Sequence, residues 1–185
     1  LVAIASLVAK ALDSPRLVFT ASTQNLTGPA TVEEGYVNLA LENQDEVMRA
    51  HGIFRVKDGA DLEEAKGLMP RLFGSFSGGE EITAEDVYAL TDGFYGGAVF
   101  VEPGTQKEVG VTLTPGTYVI YADGITDEGL SMESDYITTL EVTPSTLASV
   151  TPPTPDYTIK MVDHAFAFPA DIKAGEHLFR VENLG

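Results

Sequence analysis

Three histidines, Met132 and a crowd of carboxylates are the side chains in this sequence that could do chemistry. His51, His164 and His177 are too few and too scattered to make a zinc site or an all-histidine copper site from this chain alone. Cysteine is absent, which removes thiolate metal sites, a disulfide framework and a cysteine nucleophile. Asp123, Asp127, Glu128, Glu133 and Asp135 lie close together, and such hard oxygen donors are what calcium takes. The D-x-D-x-D-G spacing of a calcium loop does not occur, so a solvated acidic face is the plainer account. No G-x-S-x-G, phosphate-binding loop, dinucleotide fingerprint or H-E-x-x-H is present. Serines have no general base at a telling spacing, so hydrolysis has nothing to stand on.

The chain of 185 residues is long enough for one ordinary domain and part of another. It is 44% hydrophobic and 21% charged, the balance of a globular protein. Its formal net charge of -17 excludes nucleic acid as a partner, since phosphate binding needs a basic face. Eighteen glycines and ten prolines suit many tight turns between strands.

The elements that must position these side chains are strands. Val99, Phe100 and Val101 form a run that ends at Pro103-Gly104. Val109, Val111 and Leu113 alternate at period two and end at Pro115-Gly116. A strand over residues 118–121 follows, then a loop over 122–132, then a last strand ending Leu140-Glu141-Val142. A short strand covers residues 17–21. Two helices interrupt the strands in an insertion of about residues 57–91. Asp61 caps the first, which should stop before Pro70; Thr83-Ala84-Glu85-Asp86 opens the second, which should end near Gly93. Residues 143–156 hold ten Pro, Ser or Thr in fourteen, the composition of a semi-extended linker.

An internal repeat organises the rest. Residues 29–43 (PATVEEGYVNLALEN) align without a gap to residues 169–183 (PADIKAGEHLFRVEN), an offset of 140. Pro29/Pro169, Ala30/Ala170, Gly35/Gly175, Glu42/Glu182 and Asn43/Asn183 are identical. Val32 matches Ile172, Leu39 matches Phe179 and Leu41 matches Val181, so the apolar positions are kept as well.

Gly96-Gly97, Pro103-Gly104, Leu113-Thr114-Pro115-Gly116-Thr117-Tyr118 and the loop after them resemble the C-terminal half of cupredoxins, the plastocyanin and azurin type of β-sandwich. The repeated words resemble the N-terminal strands of that family. The resemblance implies a mainly β fold: a cupredoxin-like Greek-key β-sandwich over residues 17–142 with a helical insertion, a linker, and the start of a second such module over 157–185. It also implies a copper site of two His, one Cys and an axial Met. Here His51 stands late for the first histidine, with Met48 and Arg49 nearer the expected place. Tyr121-Ala122 stands where the cysteine belongs, residues 123–131 hold no histidine, and Met132 fits the axial position. His51, Met132 and, in the second module, His164 are therefore the candidate metal ligands. Copper is the cation the resemblance implies, and calcium the one the acidic loop could take. His177 matches Val37 in the repeat, an in-strand position, and reads as a surface or packing residue rather than a ligand.

Residues 1–12 are apolar apart from Ser6 and Lys10 and carry an A-x-A pattern at Ala9-Lys10-Ala11, like the end of a secretory signal. They form either a helix packed on their own domain or an anchor on a membrane or hydrophobic partner. Residues 157–185 cannot close a sandwich, so the chain is expected to continue or a partner to supply strands. Three functional classes follow. One is an extracytoplasmic structural or binding subunit of a bacterial cell-envelope assembly, of surface-layer or outer-membrane type, meeting protein partners through residues 1–12 and the second module. Another is a copper-binding redox protein, for electron transfer or superoxide dismutase-like scavenging, with its site in the second module. The third is a cation-binding domain.

Overall fold

The computed structural model describes residues 14–76, 78–98, 100–126, 129–131, 133–145, 152–163 and 165–184. The apolar segment 1–12, residues 146–151 of the linker, Met132 and His164 fall outside the described residues. The described residues divide between two compact units, one within residues 14–145 and the other within residues 152–184.

The first unit is two sheets packed face to face. One has the order β2 (Leu26–Thr27), β1 (Arg16–Ala21), β4 (Gly35–Asn43) and β7 (Gln106–Leu113). The other runs β3 (Thr31–Glu33), β10 (Ile137–Thr143), β8 (Gly116–Thr126), β5 (Met48–Val56) and β6 (Thr91–Gly96), with β9 (Gly129–Ser131) beside β8. Successive strands cross from sheet to sheet, so neighbours in space are distant in sequence: β1 lies parallel to β4, and β4 antiparallel to β7. Phe19, Leu39 and Leu41 from one sheet meet Ile53, Tyr118, Ile120 and Leu140 from the other, all without solvent contact. This is the mainly β, cupredoxin-like sandwich that the resemblance implied.

The second sheet is buried on both faces. Its outer side, with Phe54, Val56 and Val119, is covered by α1 (Leu62–Phe76) and α2 (Ala84–Leu90) through Ala65, Leu68, Met69 and Leu90. That double burial explains why residues 118–122 read as an unbroken apolar run rather than an alternation. Both caps form. Asp61 Oδ1 accepts from the Glu64 amide at 2.9 Å, and Thr83 and Asp86 make a reciprocal capping box.

Four local expectations are corrected. Helix α1 does not stop before Pro70 but continues to Phe76. A proline inside a helix costs about 3 kcal/mol; Leu68 and Met69 before it and Leu72 and Phe73 after it pack against the sheet, and each such burial returns about 1.5–3 kcal/mol. Helix α2 ends at Leu90, because Thr91 already belongs to β6. Of the strand expected at residues 99–101, Val99 lies outside the described residues; β6 ends before it at Gly96, and Gly96 and Gly97 take φ of 113° and 157°. Of the expected residues, Val101 makes a single bridge with Arg49, and Phe100 takes a left-handed φ of 56°. A β-carbon on Gly97 would overlap the His51 carbonyl oxygen, so no other residue fits there. Lastly, the expected loop at 122–132 is mostly strand: β8 runs to Thr126 and β9 returns beside it.

The second unit is one three-stranded sheet of order β12 (Ala165–Ala167), β11 (Tyr157–Val162), β13 (Phe179–Asn183). Its pairing copies the first unit at the same offset of 140. Leu17 lies opposite Leu39, and Tyr157 opposite Phe179; Ala21 lies opposite Asn43, and Met161 opposite Asn183. The antiparallel return copies too, with Ala21 opposite Leu26 and Met161 opposite Phe166. Gly35 and Gly175 share a positive φ of 135° and 136°. One difference has a direct cause. Thr31–Glu33 is a strand because β10 pairs with it; among the described residues the matching positions 171–173 have no such neighbour and form no strand. Among the described residues, no helix is long and apolar enough to cross a membrane.

The word Leu-x-Pro-Gly-x-Tyr is a closed hydrogen-bond unit. The fully buried Tyr118 hydroxyl donates to the Thr114 carbonyl and accepts from the Thr114 amide, each at 3.0 Å. Replacing Tyr118 by Phe should lower stability by about 1–2 kcal/mol with the fold intact, read as a shifted urea midpoint at unchanged slope.

Candidate functional site

Asn43 ends β4 at the end of the sandwich where the resemblance places copper. It is fully buried, and its side-chain amide donates to the Val47 and Val101 carbonyls, both at 2.8 Å. Its Oδ1 accepts from the Asp45 amide at 3.0 Å. One side chain thus fixes the turn into β5 and ties it to residue 101.

That turn presents Asp45 and Arg49, both buried. Asp45 Oδ2 accepts from Arg49 Nε at 3.0 Å and from Arg49 Nη2, while Oδ1 accepts from the Glu46 amide at 2.7 Å. The Arg49 guanidinium lies 3.6 Å from the centre of the Tyr136 ring, a cation–π stack. The Tyr136 hydroxyl donates to the Ser22 carbonyl at 2.8 Å and lies 3.1 Å from Asp45 Oδ2. Burial pushes the Asp45 carboxyl up, but the Arg49 guanidinium, the Glu46 amide and the Tyr136 hydroxyl outweigh it and hold the group below the usual range. Together these groups make a satisfied, desolvated ion pair.

His51 lies next along β5, with 3% of its surface exposed. The Ala98 amide donates to its Nδ1 at 3.1 Å, and the His51 amide donates to the Ala98 carbonyl at 2.8 Å. Nδ1 must therefore keep its lone pair for Ala98, which leaves the proton on Nε2. Nε2 is buried without a partner among the described residues. Burial pushes the ring down to about 4. A metal-bound histidine coordinates through one nitrogen and donates from the other. Here one nitrogen is taken by an amide and the other carries the proton.

The donor set does not fit a blue copper centre. There is no cysteine to supply the thiolate, the guanidinium of Arg49 brings a positive charge to the same end, and His51 is held in a tautomer unsuited to ligation. Met132 and His164 lie outside the described residues. In the second unit His177 packs edge-on against Tyr157, with ring centres 4.9 Å apart, and its Nε2 is 2.7 Å from the Lys173 carbonyl oxygen. It is engaged in packing, as the repeat suggested, although β13 begins only at Phe179. Of the acidic loop, Asp127 and Glu128 lie outside the described residues. Asp123 is buried in β8, where burial pushes its carboxyl up and Oδ1 has no partner among the described residues. Glu133 and Asp135 are exposed beyond β9. Among the described residues, no grouping of three or more His, Asp or Glu could hold a metal ion.

The Asp45, Arg49 and Tyr136 set is what sequence reading missed. Arg49 was visible only as an occupant of the first-histidine position. Tyr136 lies 91 positions from Asp45, and nothing local announces that they meet.

No family model and no curated protein matches the sequence. Solved structures do show likeness. Dithionite-reduced auracyanin from the photosynthetic bacterium Roseiflexus castenholzii is 15% identical over 71% of this chain and 98% of its own, with a TM-score of 0.44. Auracyanin A, a "blue" copper protein from Chloroflexus aurantiacus, is 15% identical over 69% and 98%, at a TM-score of 0.41. A purple cupredoxin from Nitrosopumilus maritimus is 12% identical over 70% and 100%, at 0.29. At these scores nothing about this chain is taken from the likeness; its fold rests on its own sheets.

Two outcomes test the site. Replacing Asp45 by Ala strands the Arg49 charge and should cost about 3–5 kcal/mol, with a second change of Arg49 to Met recovering most of it; thermal unfolding of the two variants reads this. For His51, the unfolded ring takes up its proton near 6.5 and the folded ring only near 4. Stability should therefore fall as pH drops through that window, by on the order of 3 kcal/mol, and His51→Gln should flatten the slope.

Proposed function

We propose that the chain is a non-catalytic, cupredoxin-like module of an extracytoplasmic assembly in a bacterial cell envelope. In this reading the first sandwich is a rigid body and the second unit, with residues 1–12, makes protein contacts. One observation carries it: the end of the first sandwich where copper would sit is closed by the Asp45–Arg49–Tyr136 set. A metal there would have to displace a buried ion pair whose every partner is inside the protein. The acidic surface adds support. Thirteen acidic residues and one basic residue lie between positions 76 and 141, a charge that keeps such a module soluble and away from nucleic acid.

The protein purified from its own cells should hold far less than one copper per chain and fractionate with the envelope. Titration of the full chain with Cu(II) should give no intense blue charge-transfer band, because no thiolate exists to produce it. A full equivalent of copper with a strong visible band overturns the proposal, and so does a freely soluble protein without envelope partners.

A further inference from the structure

Of the four asparagines in this sequence, Asn25 alone opens an N-x-[S/T] triplet, Asn25-Leu26-Thr27, and Gly28 rather than proline follows it. Such a triplet is the acceptor for an N-linked glycan: the sugar goes onto the asparagine amide, and the hydroxyl two residues on is part of the signal. A triplet also arises by chance, so what decides is where the fold puts its side chains.

Ser22, Thr23, Gln24 and Asn25 make the turn between β1 and β2, and β2 is the terminal strand of its sheet. The turn closes on itself. The Ser22 amide donates to the Asn25 carbonyl at 2.9 Å, and Ser22 Oγ accepts from the Gln24 and Asn25 amides, both at 3.2 Å. Ser22 Oγ also lies 3.2 Å from Asn25 Oδ1. The carboxamide is thus held by its oxygen, while Nδ2 makes no hydrogen bond among the described residues. Leu26 is buried in the core, whereas Asn25 and Thr27 on either side of it are exposed, the alternation of extended chain. The Thr27 hydroxyl, like Asn25 Nδ2, is without a partner among the described residues. Both groups of the signal therefore face solvent together.

The second unit carries the same hairpin without the triplet. At the offset of 140 the counterparts are Ala165-Phe166-Ala167. Met161 lies opposite Phe166 as Ala21 lies opposite Leu26, and Lys160 opposite Ala167 as Thr20 opposite Thr27. The apolar middle residue is kept and the two flanking residues are alanine. This hairpin forms with neither asparagine nor threonine at those places, so folding does not account for the pair in the first unit.

We propose that Asn25 is a glycosylation site, whose Nδ2 accepts a glycan from a lipid-linked glycosyl pyrophosphate during export. A bond forms between Nδ2 and the anomeric carbon of the first sugar. The bond from that carbon to the pyrophosphate oxygen breaks, the lipid pyrophosphate leaves with the electron pair, and one Nδ2 proton passes to a base of the transferring enzyme. Nothing is oxidised or reduced. Thr27 Oγ1 is a recognition group and forms no covalent bond. The glycan puts a bulky hydrophilic group on the terminal strand of the first sheet, a place where unprotected chain invites pairing.

This rests on the extracytoplasmic reading proposed above, yet the two fail separately. An envelope protein with a bare Asn25 loses the glycan and keeps the module. A copper-loaded or freely soluble protein that carries the glycan loses the module and keeps the site.

Trypsin releases residues 17–49 as one peptide, since no Lys or Arg lies between Arg16 and Arg49. Tandem mass spectrometry of that peptide, from protein purified out of its own cells, should place a chain of sugars on Asn25. The full chain returned to those cells as Asn25→Asp or as Thr27→Val should lose the glycan entirely, and as Thr27→Ser should retain it. Asn25→Asp keeps an oxygen for Ser22, and Thr27→Val leaves the turn untouched, so circular dichroism should show both folded. Recovery of the peptide only in unmodified form overturns the proposal. So does a glycan that persists in Asn25→Asp, which would sit on a hydroxyl such as Ser22 or Thr23, and so does indifference to Thr27→Val. A single sugar found equally on chain that has not been exported would point to a nucleotide-sugar donor and overturns it as well.

Discussion

An apolar sheet face has to be covered, and most of this structure follows from how each face meets that demand. The sheet built on β1 and β4 exposes Phe19, Leu39 and Leu41 to the sheet built on β5 and β8, and all become fully buried. The second sheet has apolar residues on both sides, so it needs a second cover, and α1 and α2 supply it. That demand is strong enough to carry α1 straight through Pro70. The helical insertion is thus a structural part of the domain rather than an ornament on a loop.

The same demand reads differently at the polar end of the sandwich. Asn43 spends its amide on two carbonyls of separate segments and so determines where the turn at residues 44–48 can go. With the turn fixed, Asp45 and Arg49 are brought inside together, and Tyr136 closes over them from β10's approach. Isolated burial of either charge would cost several kcal/mol; as a set, the carboxylate, the guanidinium and the hydroxyl partner one another, the Glu46 amide and the Ser22 carbonyl. His51 and Asp123 are the neighbours left with an unpartnered atom among the described residues. Both are pushed toward their neutral forms by burial, which lowers what that arrangement costs. This end of the fold is built around a guanidinium.

In the second unit the covering demand is not met among the described residues. Strand pairing, the return hairpin and the positive φ of Gly175 reproduce the first unit, so the local instructions are complete. Only the facing side differs: Phe166, Phe179 and Val181 stand exposed where Leu26, Leu39 and Leu41 do not. The absence of a strand at residues 171–173, where the first unit has β3, makes the same point, because a segment this short is a strand only when another strand pairs with it.

The sequence by itself determined the alternating strand that ends at Pro115-Gly116 and the strand after it, the caps at Asp61 and Thr83, and the repeat at residues 29–43 and 169–183. Each is written in contiguous residues whose conformational preferences act locally. It also excluded a thiolate site, since composition alone removes cysteine. Only the tertiary structure decided that α1 passes Pro70, that Val101 makes a single bridge with Arg49 while Phe100 is outside any strand, and that the supposed ligand loop is largely a strand and its return. Only there do Asp45, Arg49 and Tyr136 meet, and only there does Ala98 fix the tautomer of His51. The tautomer of His51 and the meeting of Asp45 with Tyr136 depend on partners 47 and 91 residues away, and the energy that settles them comes from burial and pairing between segments, which no local pattern encodes.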